Sequence, residues 1–372
     1  MRRVLLRATG PSRRRPATPT SPRRALCYFY LVRTFRDVPF ITEPYLNDSQ
    51  EFRIPKSDGM DVLRAVAADL RACAQQIPVA YSPGSWENKG RATVWALYAL
   101  LADIYLWLGE YDETIAMCEN IEKSGLYSLL PNENWYQLYN PGNSDEGIFE
   151  LQWSAALLQT NNLFAWFYNE TSNNNYAISD GAVAKFNEYA DETDVRANGG
   201  SYIDSSRKIW KYAGTATGVD NLRESGQRDA NWIIYRLADV LLMKAEALVM
   251  RGGEGDKDAA YAIITQIRER AGYIQHPPMP DNLSDAIDLV LDERLRELCF
   301  EGKRWFDLVR VAVRNDGEYK SKLVTLLLQN VAAKDRPLYE AKLQNTYGYY
   351  LPINEDDMAA SGGILVQNPY YL

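Results

Sequence analysis

Between Gln152 and Tyr176 the chain reads QWSAALLQTNNLFAWFYNETSNNNY, a run of rings and amides suited to holding a sugar. A pyranose offers apolar C–H faces and a hydroxyl rim; aromatic platforms meet the first, and Asn or Gln amides the second. Trp166, Tyr168, Asn173, Asn175 and Tyr176 are the candidate ligand-binding residues. For Trp166 and Tyr168 the sequence is equally compatible with an exposed platform and a packed ring, whereas Phe164 and Phe167 read as core. The asparagines Asn173–Asn175 follow neither helical nor strand periodicity, which predicts a loop. Loops on a rigid scaffold are where binding residues concentrate.

Catalytic chemistry is poorly supplied. The one histidine, His276, precedes Pro277 and Pro278, so no His-based triad or multi-histidine metal site can be assembled. No Walker loop or dinucleotide fingerprint occurs, and Gly252-Gly253-Glu254-Gly255 follows no strand, so it reads as a helix–helix turn. The acid cluster Asp191-Glu192-Thr193-Asp194 lacks EF-hand spacing and reads as a solvated loop. A carboxylate pair for glycoside hydrolysis is defined by a separation of ~5–9.5 Å in space, which a sequence does not display. Cys27, Cys73, Cys118 and Cys299 show no metal-ligand spacing and read as small buried hydrophobes in helices. The expectation is no catalytic residue, no metal and no cofactor.

Charge narrows the partners. The net charge is −8, although residues 1–24 hold eight arginines and no acid, so the remaining body is strongly acidic. That argues against nucleic acid, which selects a basic stripe. Residues 1–24 have only Val4-Leu5-Leu6 as an apolar run, too short for a secretory signal, and read as a basic, disordered leader outside the fold. No window approaches ~18 consecutive apolar residues, so no transmembrane helix is expected.

The elements that must position the rings are helical. Ser57–Gln76 is predicted as a helix capped by Ser57, with Val62, Val66, Ala67 and Leu70 as its stripe. Arg91–Leu108 and a second helix to Lys123, joined through Gly109-Glu110-Tyr111, resemble a degenerate tetratricopeptide repeat in which Ala102 marks close approach. A second pair is predicted over Trp232–Met250 and Lys257–Arg270, with Ala245 and Ala259 at close contacts, and a third helix begins near Ser284. Residues 125–230 interrupt the repeats as loop and short strand, with strands expected at Gly147–Trp153 and Lys208–Tyr212.

Glu293–Arg310, ERLRELCFEGKRWFDLVR, mixes both charge signs with large apolar residues. Such a window needs paired charges if it is buried. The spacing predicts Glu293 with Arg296 and Arg294 with Glu297, then Arg304, Asp307 and Arg310 on one face after Gly302. It reads as a structural ion-pair network locked to its neighbour by Trp305. The same window resembles the C-terminal signature of the SusD/RagB family. Tyr235-Arg236-Leu237-Ala238-Asp239 resembles that family's arginine–aspartate helix, and Leu351-Pro352-Ile353 with Gln367-Asn368-Pro369-Tyr370 its tail. Leu31–Pro39 resembles its helix exit, with Arg36 where a glycine is expected.

The resemblance implies a mostly α, SusD-like fold: degenerate tetratricopeptide-type helix pairs with a long irregular insert containing short β-strands. It divides the chain into the leader 1–24 and a single domain 25–372. The domain comprises helical repeats 25–124, a ligand-binding loop-rich insert 125–230, further repeats 231–312 and a C-terminal segment 313–372. Because the resemblance starts near Ala25, the family's N-terminal signal, anchor cysteine and first helical region are expected to be missing from this chain. The function implied is non-catalytic binding of an oligosaccharide or related nutrient at the bacterial outer membrane. Its partner would be a SusC-like TonB-dependent transporter that receives the ligand. A tetratricopeptide-type scaffold for protein partners and a helical glycoside hydrolase are the alternatives.

Overall fold

The computed structural model describes residues 22–47, 49–168, 176–189 and 193–372. The N-terminal third is helical: α1 (Pro22–Phe35), α2 (Gly59–Cys73), α3 (Glu87–Gly90), α4 (Val94–Leu108) and α5 (Tyr111–Lys123), with a small ladder of β1 (Val38–Pro39) on β2 (Lys56–Ser57). Pro22, Arg23 and Arg24, which the sequence division placed in the leader, belong to α1; residues 1–21 lie outside the described residues. Asp58 rather than Ser57 caps α2, its carboxylate accepting from the N–H groups of Met60 (2.9 Å) and Asp61 (3.2 Å), because Ser57 is committed to β2. Arg36 takes φ = 66°, the left-handed conformation that favours glycine. That accounts for the expectation of glycine at this position.

In α4, Thr93 caps the first turn and almost every residue is buried, Ala102 completely. A helix apolar on all sides belongs inside. Together with α3 it is, by length and composition, apolar enough to cross a membrane, and 72% of that window is buried within the fold. It serves as the central core helix, packed on α5, α2 and the helix 237–251 described below.

The insert carries β3 (Gly147–Leu151), α6 (Leu163–Phe167), α7 (Asp180–Phe186), β4 (Tyr202–Ile203), β5 (Lys208–Ile209) and β6 (Trp232–Arg236). The predicted helix 232–250 is divided: Trp232–Arg236 is extended and pairs antiparallel with β3, and only then does α8 (Leu237–Arg251) begin. Pairing with β3, with residues 233–236 all buried, overrides helix propensity there. Lys208–Tyr212 yields only the two-residue β5, after which Trp210 and Tyr212 bury into a second, aromatic core.

Helices α9 (Asp256–Ala271), α10 (Leu283–Leu298) and α11 (Arg304–Ala312) complete the repeats, followed by α12 (Lys320–Leu328), α13 (Arg336–Leu343) and α14 (Glu355–Ala360). Ala245 is fully buried where α8 meets its neighbours, but on α9 the buried small residue is Ala260 and Ala259 is exposed. At the C-terminus the Gln367 side chain accepts from Ile353 N–H (2.9 Å) and donates to Ile353 carbonyl oxygen (2.8 Å), joining the two halves of the tail motif. Cys27 is exposed and Cys299 lies just past α10, so two of the four cysteines depart from the expected buried helical setting.

Candidate aromatic binding edge and its buried anchor

One turn of helix sets the aromatic edge. In α6, Leu163, Phe164 and Phe167 fall on the inner face and are buried, which turns Trp166 outward with 43% exposure. The turn is pinned by Asn161, whose carbonyl side-chain oxygen accepts from Leu163 N–H (3.0 Å) while its amide donates to Ala230 carbonyl oxygen (2.7 Å). Tyr176 N–H donates to Trp166 carbonyl oxygen at 3.2 Å. The Tyr176 ring meets Phe167 edge-on at 6.2 Å and is itself 58% exposed. Trp166 and Tyr176 are therefore brought to one edge with their rings open.

Tyr168 serves differently. It is half-buried, wedged between Phe164 (5.8 Å) and Trp210 (5.7 Å), with the Lys208 ammonium 4.4 Å from its ring centre. Phe164 and Phe167 are core, as the sequence suggested. Asn173 and Asn175 lie outside the described residues. Two cations beside the rings were not singled out from the sequence: Lys208, and Arg228, whose guanidinium stacks on Phe164 at 3.9 Å. Both come from segments distant in sequence, so no local spacing marks them.

Behind the edge the rings continue inward. Phe167 touches Tyr212 (6.0 Å), which stacks on Trp232 (5.2 Å) and meets Tyr139 (5.3 Å), itself packed on Trp135 (5.3 Å). Beside them an amide network joins Asn143, Gln152 and Asn231 to Glu150. Burial pushes the Glu150 carboxyl above its ordinary range, although the Asn143 N–H and Asn231 amide offset part of the effect. This aromatic floor gives the exposed rings a stiff base.

The floor is fastened by charges. Lys211, next to Tyr212, donates to Glu301 (2.8 Å) and to the carbonyl oxygens of Glu297 (2.9 Å) and Cys299 (3.0 Å). Arg236 forks onto Glu301 (2.9 Å twice) and also reaches Glu146 (2.6 Å) and Glu297 (2.5 Å). Arg196 bridges Asp194, Glu293 (2.7 Å) and Glu297 (2.9 Å), and Arg270 adds contacts to Glu146 and Glu297. Tyr139 donates to the same Glu301 at 2.9 Å. All these groups are buried, so each must be paired.

Of the local pairs expected in this window, Glu293 with Arg296 is present at 3.7 Å, but Arg294 reaches Asp239 and Asp307 rather than Glu297. The network is mainly tertiary: it ties the insert, including Arg236 of β6, to α9 and α10. Burial alone would raise Glu301, yet Arg236 and Lys211 hold it down to about 2. Glu297 lies well below its usual range against the same burial penalty, held there by Arg270, Arg236 and Arg196. A second group joins Asp239 and Glu246 of α8 to Arg294, Lys303, Arg310 and Asp307. Trp305, expected to lock these helices, is 39% exposed, and the ring that packs across them is Phe306, against Tyr30, Trp107 and the Arg33 guanidinium at 4.3 Å.

Comparison with known proteins agrees with this architecture. The sequence model of the SusD family matches residues 101–371. SusD-like protein P2 of Formosa agariphila is 23% identical over 94% of this chain and 72% of its own length, and SusD-like protein P38 of that organism is 26% identical over 77% and 64%. The chain thus spans less than two thirds of the second relative. Among solved structures, a SusD homolog from Bacteroides thetaiotaomicron superposes with a TM-score of 0.67 at 25% identity, over 94% of this chain and 75% of that one. A laminarin-binding SusD-like protein superposes at 0.66 with 24% identity, over 94% and 77%.

Proposed function

The chain belongs to the SusD family, and from that premise we propose that it binds an oligosaccharide or related nutrient without transforming it. The ligand is held at the aromatic edge and handed to a SusC-like TonB-dependent transporter in the bacterial outer membrane. The observation that carries this reading is the pair of open rings, Trp166 and Tyr176, held on a buried aromatic floor. Such rings suit the apolar faces of a sugar, and their fixed base limits the ordering cost of binding. A neighbour of the same fold binds laminarin, which makes laminarin the first probe. The loop-rich insert acts as the ligand-binding unit and the helical repeats face the transporter.

Three buried carboxylates of the charged layer act as ion-pair partners rather than proton donors. Glu297, Glu301 and Asp307 are kept ionised by arginine or lysine partners, a state that cannot donate a proton near neutrality. Calorimetry with laminarin and a panel of other glycans tests the reading. Trp166→Ala with Tyr176→Ala is expected to weaken binding about tenfold or more, or ~1.4 kcal/mol; unchanged affinity removes the site. Release of reducing sugar on incubation would replace binding by hydrolysis. Copurification with an outer-membrane transporter tests the delivery step.

A further inference from the structure

A cleft of about 1360 Å³ opens between the exit of α1 and the C-terminal segment and shares no lining residue with the aromatic edge. Leu31 and Phe52 stand on one wall, Leu351 and Tyr371 on the other, and all four side chains are exposed. Large apolar side chains gathered on one surface mark it as one to be covered. The rim is mainly acidic. Glu355, Asp356 and Asp357 form the exposed first turn of α14; Asp37 is already paired with Arg36 at 2.9 Å, and Arg53 adds a cation. Among the described residues, no lysine or arginine lies within ion-pair distance of the three α14 acids.

The complementary surface is α13. This helix leans on α12 and on the turn Thr346–Tyr349, yet seven of its eight residues are exposed and Leu343 is only half-buried. A helix so short is marginal unless one face is packed. Leu338 and Tyr339 are 57% and 48% exposed. They lie four and three residues before Lys342, so the apolar pair and the ammonium share a face, while Glu340 points away from it. Lys334 and Arg336 add cations at the start of the helix, beside Asp335, and Arg336 Nε–H donates to Val331 carbonyl oxygen at 3.1 Å. Among the described residues, no carboxylate lies within ion-pair distance of Lys334, Arg336 or Lys342. By the dimensions of an α-helix, α13 is ~12 Å long and ~10 Å across, a body of roughly 900–1,000 Å³ that the cleft can admit.

The helix lines no part of its own cleft, but the two are neighbours along the chain. Tyr349 hydroxyl donates to Leu343 carbonyl oxygen at 2.7 Å, and Leu351, two residues further, enters the cleft wall. Adjacent patches that complement each other suit a two-fold axis, which lets each copy supply the helix and receive one. We infer that two copies of this chain pair in this way, α13 of each seated in the cleft of the other. Leu338 and Tyr339 meet the apolar walls, and Lys334, Arg336 and Lys342 face Glu355, Asp356 and Asp357. The aromatic edge takes no part and stays open in both copies.

Analytical ultracentrifugation of the full chain, from micromolar to hundreds of micromolar, tests this. The comparison set is a Lys334→Glu, Arg336→Glu, Lys342→Glu variant, a Glu355→Lys, Asp356→Lys, Asp357→Lys variant, and an equal mixture of the two. Exposed ion pairs are individually weak, but the axis repeats each of them, so either variant alone is expected to dimerise about tenfold or more weakly than the parent. In the mixture both helix–cleft contacts regain opposite charges, so heterodimers are expected with the parent's affinity, which also shows that both variants are folded. A parent that stays monomeric throughout, variants that dimerise as the parent does, or a mixture that fails to pair overturns the inference. A mass that climbs past the dimer overturns it as well, since a two-fold contact closes on itself.

Discussion

The charged layer around Glu297 and the aromatic edge around Trp166 both invert the usual placement of their residue types. In one, guanidinium and carboxylate groups are removed from water; in the other, an indole and a phenol ring are left in it. The penalties differ. A buried charge is tolerable only if every partner is in place, so the layer is a closed set in which each member depends on several others. An exposed ring loses some favourable burial and leaves its neighbours untouched. The first region is thus fixed by mutual obligation, and the second is free to be selected for what it touches.

The largest effect expected is from Glu297→Gln. It keeps the side-chain volume but removes the charge shared by Arg196, Arg236 and Arg270. A loss of about 3–5 kcal/mol in urea unfolding is expected for breaking a buried pair, and a change below ~1 kcal/mol would end the contrast between the regions. Acid should reveal the same layer. Glu301 and Asp307 are held down to about 2 in the fold by their basic partners, below the ~4 of an unfolded carboxyl. Their contribution is therefore complete above about pH 4.5 and is lost progressively as pH falls toward 2. A thermal midpoint that stays level from pH 5 to pH 2.5 would contradict this assignment.

Adjacent aromatics on α11 sharpen the comparison. Phe306→Ala should cost about 2 kcal/mol, because it removes the ring packed on Arg33 and Trp107. Trp305→Ala should cost under ~1 kcal/mol, since that ring is partly in solvent; the reverse order in denaturant midpoints would restore Trp305 as the lock. Smallest of all, Trp166→Ala with Tyr176→Ala should leave unfolding free energy within ~0.5 kcal/mol of the parent while glycan affinity falls. A large loss of stability would make those rings structural.

How much of this could be read beforehand followed the same division. Glu293–Arg310 was legible as a charged network because so many charges among apolar residues must be paired, and the helix pairs followed from apolar spacing. The partners were not legible: Arg236 reaches Glu297, Lys211 reaches Glu301, and Glu146 reaches Arg236 and Arg270, all across tertiary distances that no i, i+3 rule encodes. Trp232–Arg236 was misread as helix because its burial is set by a ladder with Gly147–Leu151, a pairing remote in sequence. At the edge, Phe164 and Phe167 could be assigned inward by composition. The orientation of Trp166 depended on the single turn of α6 and its Asn161 anchor.

The β3–β6 ladder also bears on how this surface can change over time. It closes the insert at its base, since Leu151 pairs with Trp232 and Gly147 with Arg236, whose guanidinium enters the charged layer. Closing a flexible loop costs free energy only as the logarithm of its length, about 0.6 kcal/mol for a doubling. Segments between the two strands can therefore lengthen, shorten or be exchanged at small thermodynamic cost while the clasp stays shut. Lineages can revise which molecule is recognised without rebuilding the framework that presents it.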